Sequence, residues 1–223
     1  MIELFHGFAL NYQGNTAQGF DAIYVSPETG TFILCDGANS TPLGGRCASM
    51  CAPLLGNLLA NDFRNPIKAF DVAHQTIKLQ LSNAACTAVS LQAKDNILQL
   101  CSCGDSQIEL FKYRPFFGWK NELSTKLDLL ENGNPSQLMG SGAYTSPNTI
   151  LIKNDGVSCA MLMSDGIYRF TSKKDRLKIL KTLISKKPSN EDLTYLAHTL
   201  SQRALSAGSH DDISIAIIWI RSS

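Results

Sequence analysis

Three aspartates in the sequence stand where strongly apolar segments end or begin. Asp36 and Asp165 each follow such a segment, and Asp211 lies just before another. The ends of buried strands hold side chains rigidly, so an aspartate there can point into a cleft. Three carboxylates brought together repel one another unless cations neutralise them. Mg²⁺ and Mn²⁺ are hard ions that prefer oxygen ligands, so the pattern predicts a metal site.

Turn formation is the competing explanation for these aspartates. Asp36-Gly37 and Asp165-Gly166 are Asp-Gly pairs, and this dipeptide is common in turns. Any one of the three positions is explained as well by a turn as by a metal ligand. The same context at all three strand ends favours the metal site.

The elements that must position the carboxylates follow one another in blocks. The hydrophobic periodicity predicts strands, two helices, strands, two helices and a last strand, which indicates an α+β domain of packed antiparallel sheets covered by helix pairs. Residues 114–154 are the least regular part of the chain, and the last strand is apolar enough to be central. Strands are predicted at Glu3–Leu10, Ala22–Ser26, Thr31–Cys35, Cys86–Ala93, Ile97–Cys103, Gln107–Tyr113, Val157–Met163 and Ile213–Ile220. Helices are predicted at Gly45–Phe63, from Pro66, after Ser172 and from Ser189 to Gly208.

Composition restricts the class of protein. The 223 residues suit one domain, 1–223, and 44% apolar with 17% charged residues excludes a disordered chain. Twenty Lys and Arg against 19 Asp and Glu give a net charge of +1, which argues against nucleic acid and membrane surfaces as partners. Ile213–Ile220, the longest apolar stretch, is too short to span a bilayer, and the N-terminal residues make a poor signal peptide. We therefore expect a cytoplasmic protein.

The sequence has seven cysteines, which is an odd number, and no Cys-x-x-Cys pair. A zinc ribbon needs such pairs, so the pattern does not indicate one. Most of the cysteines lie within apolar segments, which predicts small buried hydrophobic residues in a reducing compartment.

Further short motifs accompany the three aspartates. Taken in order, they resemble the landmarks of the metal-dependent Ser/Thr protein phosphatases, the type-2C or PPM family, from about Asp21 to the C-terminus. That family's fold is a central antiparallel β-sandwich flanked by helix pairs, an αββα arrangement that agrees with the pattern of elements. The matching motifs are Asp21-Ala22, Asp36-Gly37, Cys86-Thr87-Ala88, Gly104-Asp105-Ser106, Ser164-Asp165-Gly166 and Asp211-Asp212-Ile213-Ser214.

The resemblance implies a role for each matching residue. Asp36 would bridge two Mn²⁺ or Mg²⁺ ions, and the Gly37 carbonyl would bind one of them. Asp165 and Asp211 would hold the first ion, and Asp21 would serve the second directly or through water. A metal-bound water positioned by these aspartates would attack phosphorus, so no side-chain nucleophile is implied. The implied substrate is a phosphoserine or phosphothreonine protein, either a Ser/Thr kinase or its target.

The sequence departs from the family pattern where phosphate is bound. Thr16 stands where the family usually has an arginine, and Phe20 replaces an acidic or amide residue. Residues are inserted before the glycine pair of the loop 36–45, Gln107 replaces an arginine, and Asp212 replaces an asparagine. The flap, residues 114–154, is short. The carboxylates are kept, while the phosphate-binding residues are altered.

Another cation is predicted to replace the missing arginine. Arg46, just after Gly44-Gly45 at the start of a predicted helix, is the best candidate for contacting substrate phosphate. Arg169, three residues after Gly166, is the rival. Asp128 stands near the position of a third-metal aspartate, but the histidine that normally follows is absent.

Other functions remain as alternatives. A GDS-type esterase would use Ser106 as nucleophile, but Asp71 and His74, the only Asp-x-x-His, precede it. An HD-type phosphohydrolase would use His210-Asp211, but it would be all-helical. The altered phosphate-binding residues favour a non-catalytic phosphatase-like module that binds a partner. The retained carboxylates favour an enzyme, because a decayed site has no reason to keep three mutually repelling charges.

Overall fold

The computed structural model describes residues 2–11, 20–183 and 187–222. Strands and helices alternate in blocks, as the periodicity predicts. The strands are β1 (Ile2–Asn11), β2 (Asp21–Ser26), β3 (Thr31–Asp36), β4 (Ala88–Lys94), β5 (Ile97–Cys103), β6 (Gln107–Arg114), β7 (Gly118–Ser124), β8 (Asn148–Lys153), β9 (Val157–Met163) and β10 (Ile213–Ser222). The helices are α1 (Gly44–Asn61), α2 (Pro66–Gln80), α3 (Asp165–Tyr168), α4 (Lys173–Leu180) and α5 (Asn190–Ser206), with a 3₁₀ turn at Lys181–Leu183.

Two antiparallel sheets of five strands form the centre of the fold. One has the order β1-β10-β9-β6-β7 and the other the order β2-β3-β4-β5-β8. Helices α1 and α2 pack on the second sheet, and α4 and α5 pack on the first. The predicted α+β sandwich flanked by helix pairs is confirmed, and β10 lies between β1 and β9, in the interior of its sheet.

Side-chain alternation along β3 shows how the layers meet. Phe32 and Leu34 point into the apolar layer between the two sheets. Ile33 and Cys35 point the other way, into the layer beneath α1 and α2. Since successive side chains of a strand lie on opposite faces, Asp36 belongs to the face that looks between the sheets.

The structure corrects the prediction that residues 114–154 are irregular, because they contain β7 and β8. Both are the last strand of their sheet, and most of their residues are partly or fully exposed. β7 carries polar residues along much of its length, and the apolar run of β8 is limited to residues 150–152. Neither edge strand shows the longer apolar run by which a central strand is recognised. The loop between these strands, 125–147, holds no helix.

Capping boxes begin the two C-terminal helices. Ser172 and Asp175 cap α4, and Ser189 and Asp192 cap α5, each pair exchanging side-chain and backbone hydrogen bonds. Both of these predicted helix starts are confirmed. Among the described residues, no helix is both long and apolar enough to cross a membrane.

Candidate metal centre

Asp36 and Asp21 meet at one end of the second sheet. Asp36 ends β3 and Asp21 begins β2, and the two residues are direct partners in the antiparallel pairing. Directly opposite residues of an antiparallel pair project their side chains to the same face. The Asp21 side chain is therefore beside that of Asp36, and Asp21 is buried, with 4% of its surface exposed.

The other sheet supplies two more carboxylates to the same place. Asp165 lies two residues after the end of β9, and Asp211 lies two residues before the start of β10. Strands β9 and β10 are neighbours, so the end of one lies beside the start of the other. Asp36, Asp165 and Asp211 line one pocket of about 290 Å³. The structure thus brings together the aspartates that the sequence singles out.

The charges of these residues act strongly on Asp36. Burial raises the pKa of Asp36 well above its ordinary value, and the neighbouring charges of Asp21, Asp165 and Asp211 raise it further. Like charges in a low-dielectric site disfavour the ionised form in this way. A cation beside these carboxylates would offset the repulsion that disfavours the ionised form of Asp36.

Asp21 and Asp165 carry polar atoms that are buried without partners. Burial raises the pKa of Asp21 to about 7, and the charge of Asp212 adds to the rise. The nearby Ser214 hydroxyl opposes that rise without forming a hydrogen bond of normal geometry. Burial also raises the pKa of Asp165 to about 6, against the lowering effect of Arg169. Both carboxylate oxygens of Asp21 and Oδ1 of Asp165 have no hydrogen-bond partner in the described part of the chain.

Gly37 is required by close backbone packing. A Cβ atom on Gly37 would lie 2.5 Å from the carbonyl carbon of Gly44 and 2.6 Å from the carbonyl oxygen of Phe20. The Gly37 amide donates to that Phe20 oxygen at 2.9 Å. The Asp-Gly…Gly-Gly pattern therefore serves close contact between the end of β3 and the start of α1, which places the Gly37 backbone at the pocket.

A hydroxyl pair fixes the backbone of Asp36. Thr87 Oγ1 accepts a hydrogen bond from the Asp36 amide at 3.2 Å, and the Thr87 amide donates to the Asp36 carbonyl at 2.8 Å. Thr87 Oγ1 lies 2.6 Å from Ser106 Oγ, and both side chains are buried. Thr87, which is itself in contact with Ser106, thus fixes the backbone of Asp36 through hydrogen bonds.

Asp211 is oriented by a side chain of the inserted loop. Asn39 Nδ2 donates to Asp211 Oδ1 at 3.0 Å, and the same oxygen accepts from the Asp212 amide at 2.9 Å. Asp212 in turn accepts a hydrogen bond from the Phe20 amide at 2.6 Å. Phe20 and Asp212 both differ from the family pattern, and they contact each other next to the pocket.

Asp105 is a member of the cluster that sequence reasoning did not assign. It lies between β5 and β6, is 5% exposed and lines the pocket. Arg169 Nη2 donates to Asp105 Oδ2 at 3.0 Å, and Arg169 Nη1 lies 3.4 Å from Asp165 Oδ2. The position of Asp105 between two apolar strands is the same signal that identified the other aspartates.

Arg46, the preferred candidate for binding the substrate phosphate, lies apart from this cluster, whereas its rival Arg169 belongs to it. Arg46 is exposed in the first turn of α1, has no ion pair with any described residue and does not line the pocket. Its role in substrate binding stays a prediction. Thr16 lies outside the described residues.

Asp128 holds the loop 125–147 rather than lining the pocket. Its Oδ2 accepts from the Gly104 amide at 3.1 Å and from Gln137 Nε2 at 2.7 Å. Its Oδ1 accepts from Asn148 Nδ2 at 2.8 Å. These contacts connect the loop to the β5–β6 turn.

The esterase alternative lacks its geometry. Ser106 is fully buried against Thr87. His74 lies in α2, stacked on Tyr144 at 4.2 Å, and its Nδ1 accepts a hydrogen bond from the Gly140 amide at 3.0 Å. His74 is the structural histidine that its helical position predicts.

No protein-family model matches the sequence, and no curated protein matches it either. Solved structures do match across nearly the whole chain. The catalytic domain of the serine/threonine protein phosphatase PstP, in complex with two manganese ions, is 19% identical with a TM-score of 0.72, covering 100% of both chains. The S. agalactiae serine/threonine phosphatase is 16% identical with a TM-score of 0.77, covering 97% of this chain and 99% of its own. The PPM Ser-Thr phosphatase MsPP from Mycobacterium smegmatis, in complex with cacodylate, is 14% identical with a TM-score of 0.75, covering 96% and 97%.

The protein therefore has the fold of the bacterial PPM-type Ser/Thr phosphatases, as the sequence motifs predict.

The acidic cluster fits divalent cations by its own chemistry. It offers only oxygen ligands, which hard ions such as Mg²⁺ and Mn²⁺ prefer. The unpartnered oxygens of Asp21 and Asp165 are buried, and a buried carboxylate without a partner is costly. A cation would satisfy these oxygens and relieve the repulsion around Asp36.

Proposed function

We propose that the protein is a metal-dependent phosphoserine/phosphothreonine protein phosphatase that hydrolyses phosphomonoesters. The observation that carries the proposal is the convergence of Asp36, Asp165 and Asp211 from two sheets on one pocket, with Asp21 paired to Asp36 beside it. The likeness to phosphatase folds supports it. The ordered motifs that accompany these aspartates support it as well.

The residues would hold two Mn²⁺ or Mg²⁺ ions in the arrangement that the family resemblance implies. Asp36 would be shared, and Asp165 and Asp211 would complete the first site. Asp21 would serve the second ion directly or through water, and the Gly37 carbonyl would bind one of the two ions. When bound, such ions activate water as a nucleophile and stabilise the charge that develops on a phosphoryl group. This assignment needs no nucleophilic side chain, and the buried Ser106 is consistent with that.

Other residues of the chain would keep the carboxylates in place. Thr87 fixes the backbone of Asp36 through two hydrogen bonds, and Asn39 holds one oxygen of Asp211. Arg169 would offset part of the negative charge through its contacts with Asp105 and Asp165. Positioning of this kind lowers the reorganisation that catalysis requires.

The substrate class follows from the pocket and the resemblance together. The pocket is small, about 290 Å³, and lies at the surface beside the exposed residues Asn39 and Ser40. Such a site suits a phosphate group presented on a protein chain. The phosphorylated partner would be a Ser/Thr kinase or its target, and the protein would act in the cytoplasm.

The test is turnover of p-nitrophenyl phosphate and of a phosphothreonine peptide, each with Mn²⁺ and with EDTA. We expect hydrolysis of both in Mn²⁺, none in EDTA, and little hydrolysis of a matched phosphotyrosine peptide. A folded protein that binds Mn²⁺ but hydrolyses none of these substrates would support the binding module instead.

A further inference from the structure

Four buried cysteines converge beneath the acidic pocket. Cys35 comes from the end of β3, Cys47 and Cys51 from one face of α1, and Cys86 from the segment before β4. All four are 0% exposed. The Sγ atoms of Cys35, Cys51 and Cys86 lie within 4.8 Å of one another. Cys47 Sγ lies 3.4 Å from Cys86 Sγ.

These distances are close to those of a sulfur-coordinated metal site. Sulfur ligands about 2.3 Å from a tetrahedral zinc ion are about 3.8 Å apart. A small inward movement of the three thiols would reach that spacing. Cys47 Sγ is close to Cys86 only, so the Cys47 side chain would also have to turn toward Cys35 and Cys51 to become the fourth ligand. The sequence hides this arrangement, because the four cysteines are spread over positions 35 to 86 without a Cys-x-x-Cys pair.

A disulfide explains the cluster less well. It joins only two sulfurs, at about 2.05 Å, and leaves the other thiols of the group unexplained. The thiols are also fully buried, so an oxidant in solution has no access to them. A metal ion taken up during folding needs no such access, since binding to thiolates and folding are coupled.

We propose that Cys35, Cys51 and Cys86, with Cys47 as fourth ligand, form a structural site for a thiophilic ion, zinc. Each thiol that binds loses its proton to solvent, and the sulfur lone pair forms the bond to zinc. A site closed by four protein ligands has no open position for substrate, so its role would be structural.

The site would stabilise the residues that carry the acidic cluster. Cys35 directly precedes Asp36, and Cys86 pairs with Gly37 in an isolated β-bridge. An ion here would connect α1 to the strand ends that present Asp36 and Gly37. The inference does not depend on the proposed phosphatase function.

The first measurement is the metal content of the full chain, expressed with added zinc and dialysed against EDTA. We expect about one zinc ion per chain to remain, because a buried four-cysteine site releases its ion slowly, whereas Mn²⁺ or Mg²⁺ at a carboxylate site is removed. The protein refolded with Co²⁺ should show thiolate-to-cobalt charge-transfer absorption in the near ultraviolet. Cobalt bound to carboxylates alone does not give this absorption.

Three variants assign the absorption to the cluster. Cys51→Ala should lose the bound zinc and the charge-transfer band. Cys159→Ala, which removes an equally buried thiol from β9, should keep both. Asp36→Asn, which damages the acidic cluster, should also keep both, so failure of the phosphatase proposal and failure of this one are distinguishable.

Wild-type protein without zinc and without the charge-transfer band would overturn the proposal, and this measurement needs no variant to fold. A Cys47–Cys86 disulfide found by mass spectrometry in metal-free protein would overturn it as well. A band that survives in Cys51→Ala would show that the cluster is not the ligand set.

Discussion

Asp21 and Asp36 occupy directly opposite positions in the antiparallel pair of β2 and β3, so two carboxylates face each other across the ladder. Like charges in such a pair destabilise a sheet. The first of these carboxylates is buried with no hydrogen-bond partner among the described residues. The pair is therefore stable as two anions only if a cation lies between or beside them.

The repulsion between these buried carboxylates should make the stability of the metal-free protein depend on pH. The pKa of Asp21 is raised from 3.8 to about 7 and that of Asp165 from 3.8 to about 6, so the native state binds these protons more tightly than the unfolded state. Their contribution to stability is present below the unfolded pKa and is lost as the pH rises through the folded values. We expect the melting temperature in EDTA to fall as the pH rises from about 4 to about 7, and saturating Mn²⁺ to cancel most of that fall.

Asp21→Asn is the matched control for that experiment. This substitution removes one carboxyl group whose pKa is raised and leaves the size of the side chain almost unchanged. The melting temperature of the variant in EDTA should therefore depend less on pH. A wild-type protein whose melting temperature in EDTA is the same across this range would contradict the assignment of the buried charges.

The backbone contact at Gly37 predicts a loss of stability on substitution. Gly37→Ala places a Cβ 2.5 Å from the Gly44 backbone, and overpacking of this kind costs roughly 1–3 kcal/mol. Gly142→Ala is the control, since a Cβ there meets nothing within 4 Å, and it should change stability by less than about 0.5 kcal/mol. Equal urea midpoints for the two variants would disprove the packing requirement.

The hydroxyl of Thr87 should matter through hydrogen bonds and not through volume. Thr87→Val leaves the Asp36 amide and Ser106 Oγ without their partner, which costs roughly 1–3 kcal/mol. We expect lower stability and a lower kcat at an almost unchanged KM. Thr76→Val removes a hydroxyl that bonds to Val72 O on the outside of α2, and it should change neither quantity. A Thr87→Val protein with normal kcat would show that Asp36 does not need this support.

The two candidate arginines should differ in what their removal changes. Arg46→Ala should raise KM for a phosphopeptide more than it alters Mn²⁺ affinity, and Thr16→Arg should partly restore KM. Arg169→Ala removes the cation beside Asp105 and Asp165, so less Mn²⁺ should be needed for half-maximal activity at about pH 8. If Arg46→Ala leaves kcat/KM within about twofold of wild type, roughly 0.4 kcal/mol, Arg46 does not bind the phosphate.

Much of the fold could be predicted from the sequence, since buried strands and amphipathic helices leave strong periodic signals. The central strands β3, β9 and β10 were predicted within a residue or two, and both capping boxes were found. The edge strands β7 and β8 were missed, because their pairing is decided by the neighbouring strand and not by their own hydrophobicity.

The acidic cluster was predictable from its strand-end positions, whereas its supporting contacts were not. Arg169 contacts Asp105 and Asp165 only through the arrangement of β9, α3 and the β5–β6 turn. The cysteine cluster depends on contacts between segments far apart in the chain, which no local pattern shows.

The converging aspartates are proposed to support metal-dependent phosphate hydrolysis. The most direct measurement is the Mn²⁺ dependence of phosphate release from a phosphothreonine peptide by wild type, Asp36→Asn and Asp211→Asn, with Glu131→Gln as an exposed control. We expect wild type and Glu131→Gln to require Mn²⁺ and to turn over alike, and both aspartate variants to be folded and inactive. Turnover by wild type in EDTA, or near-normal turnover by both aspartate variants, would show that hydrolysis does not depend on metal ions held by these aspartates.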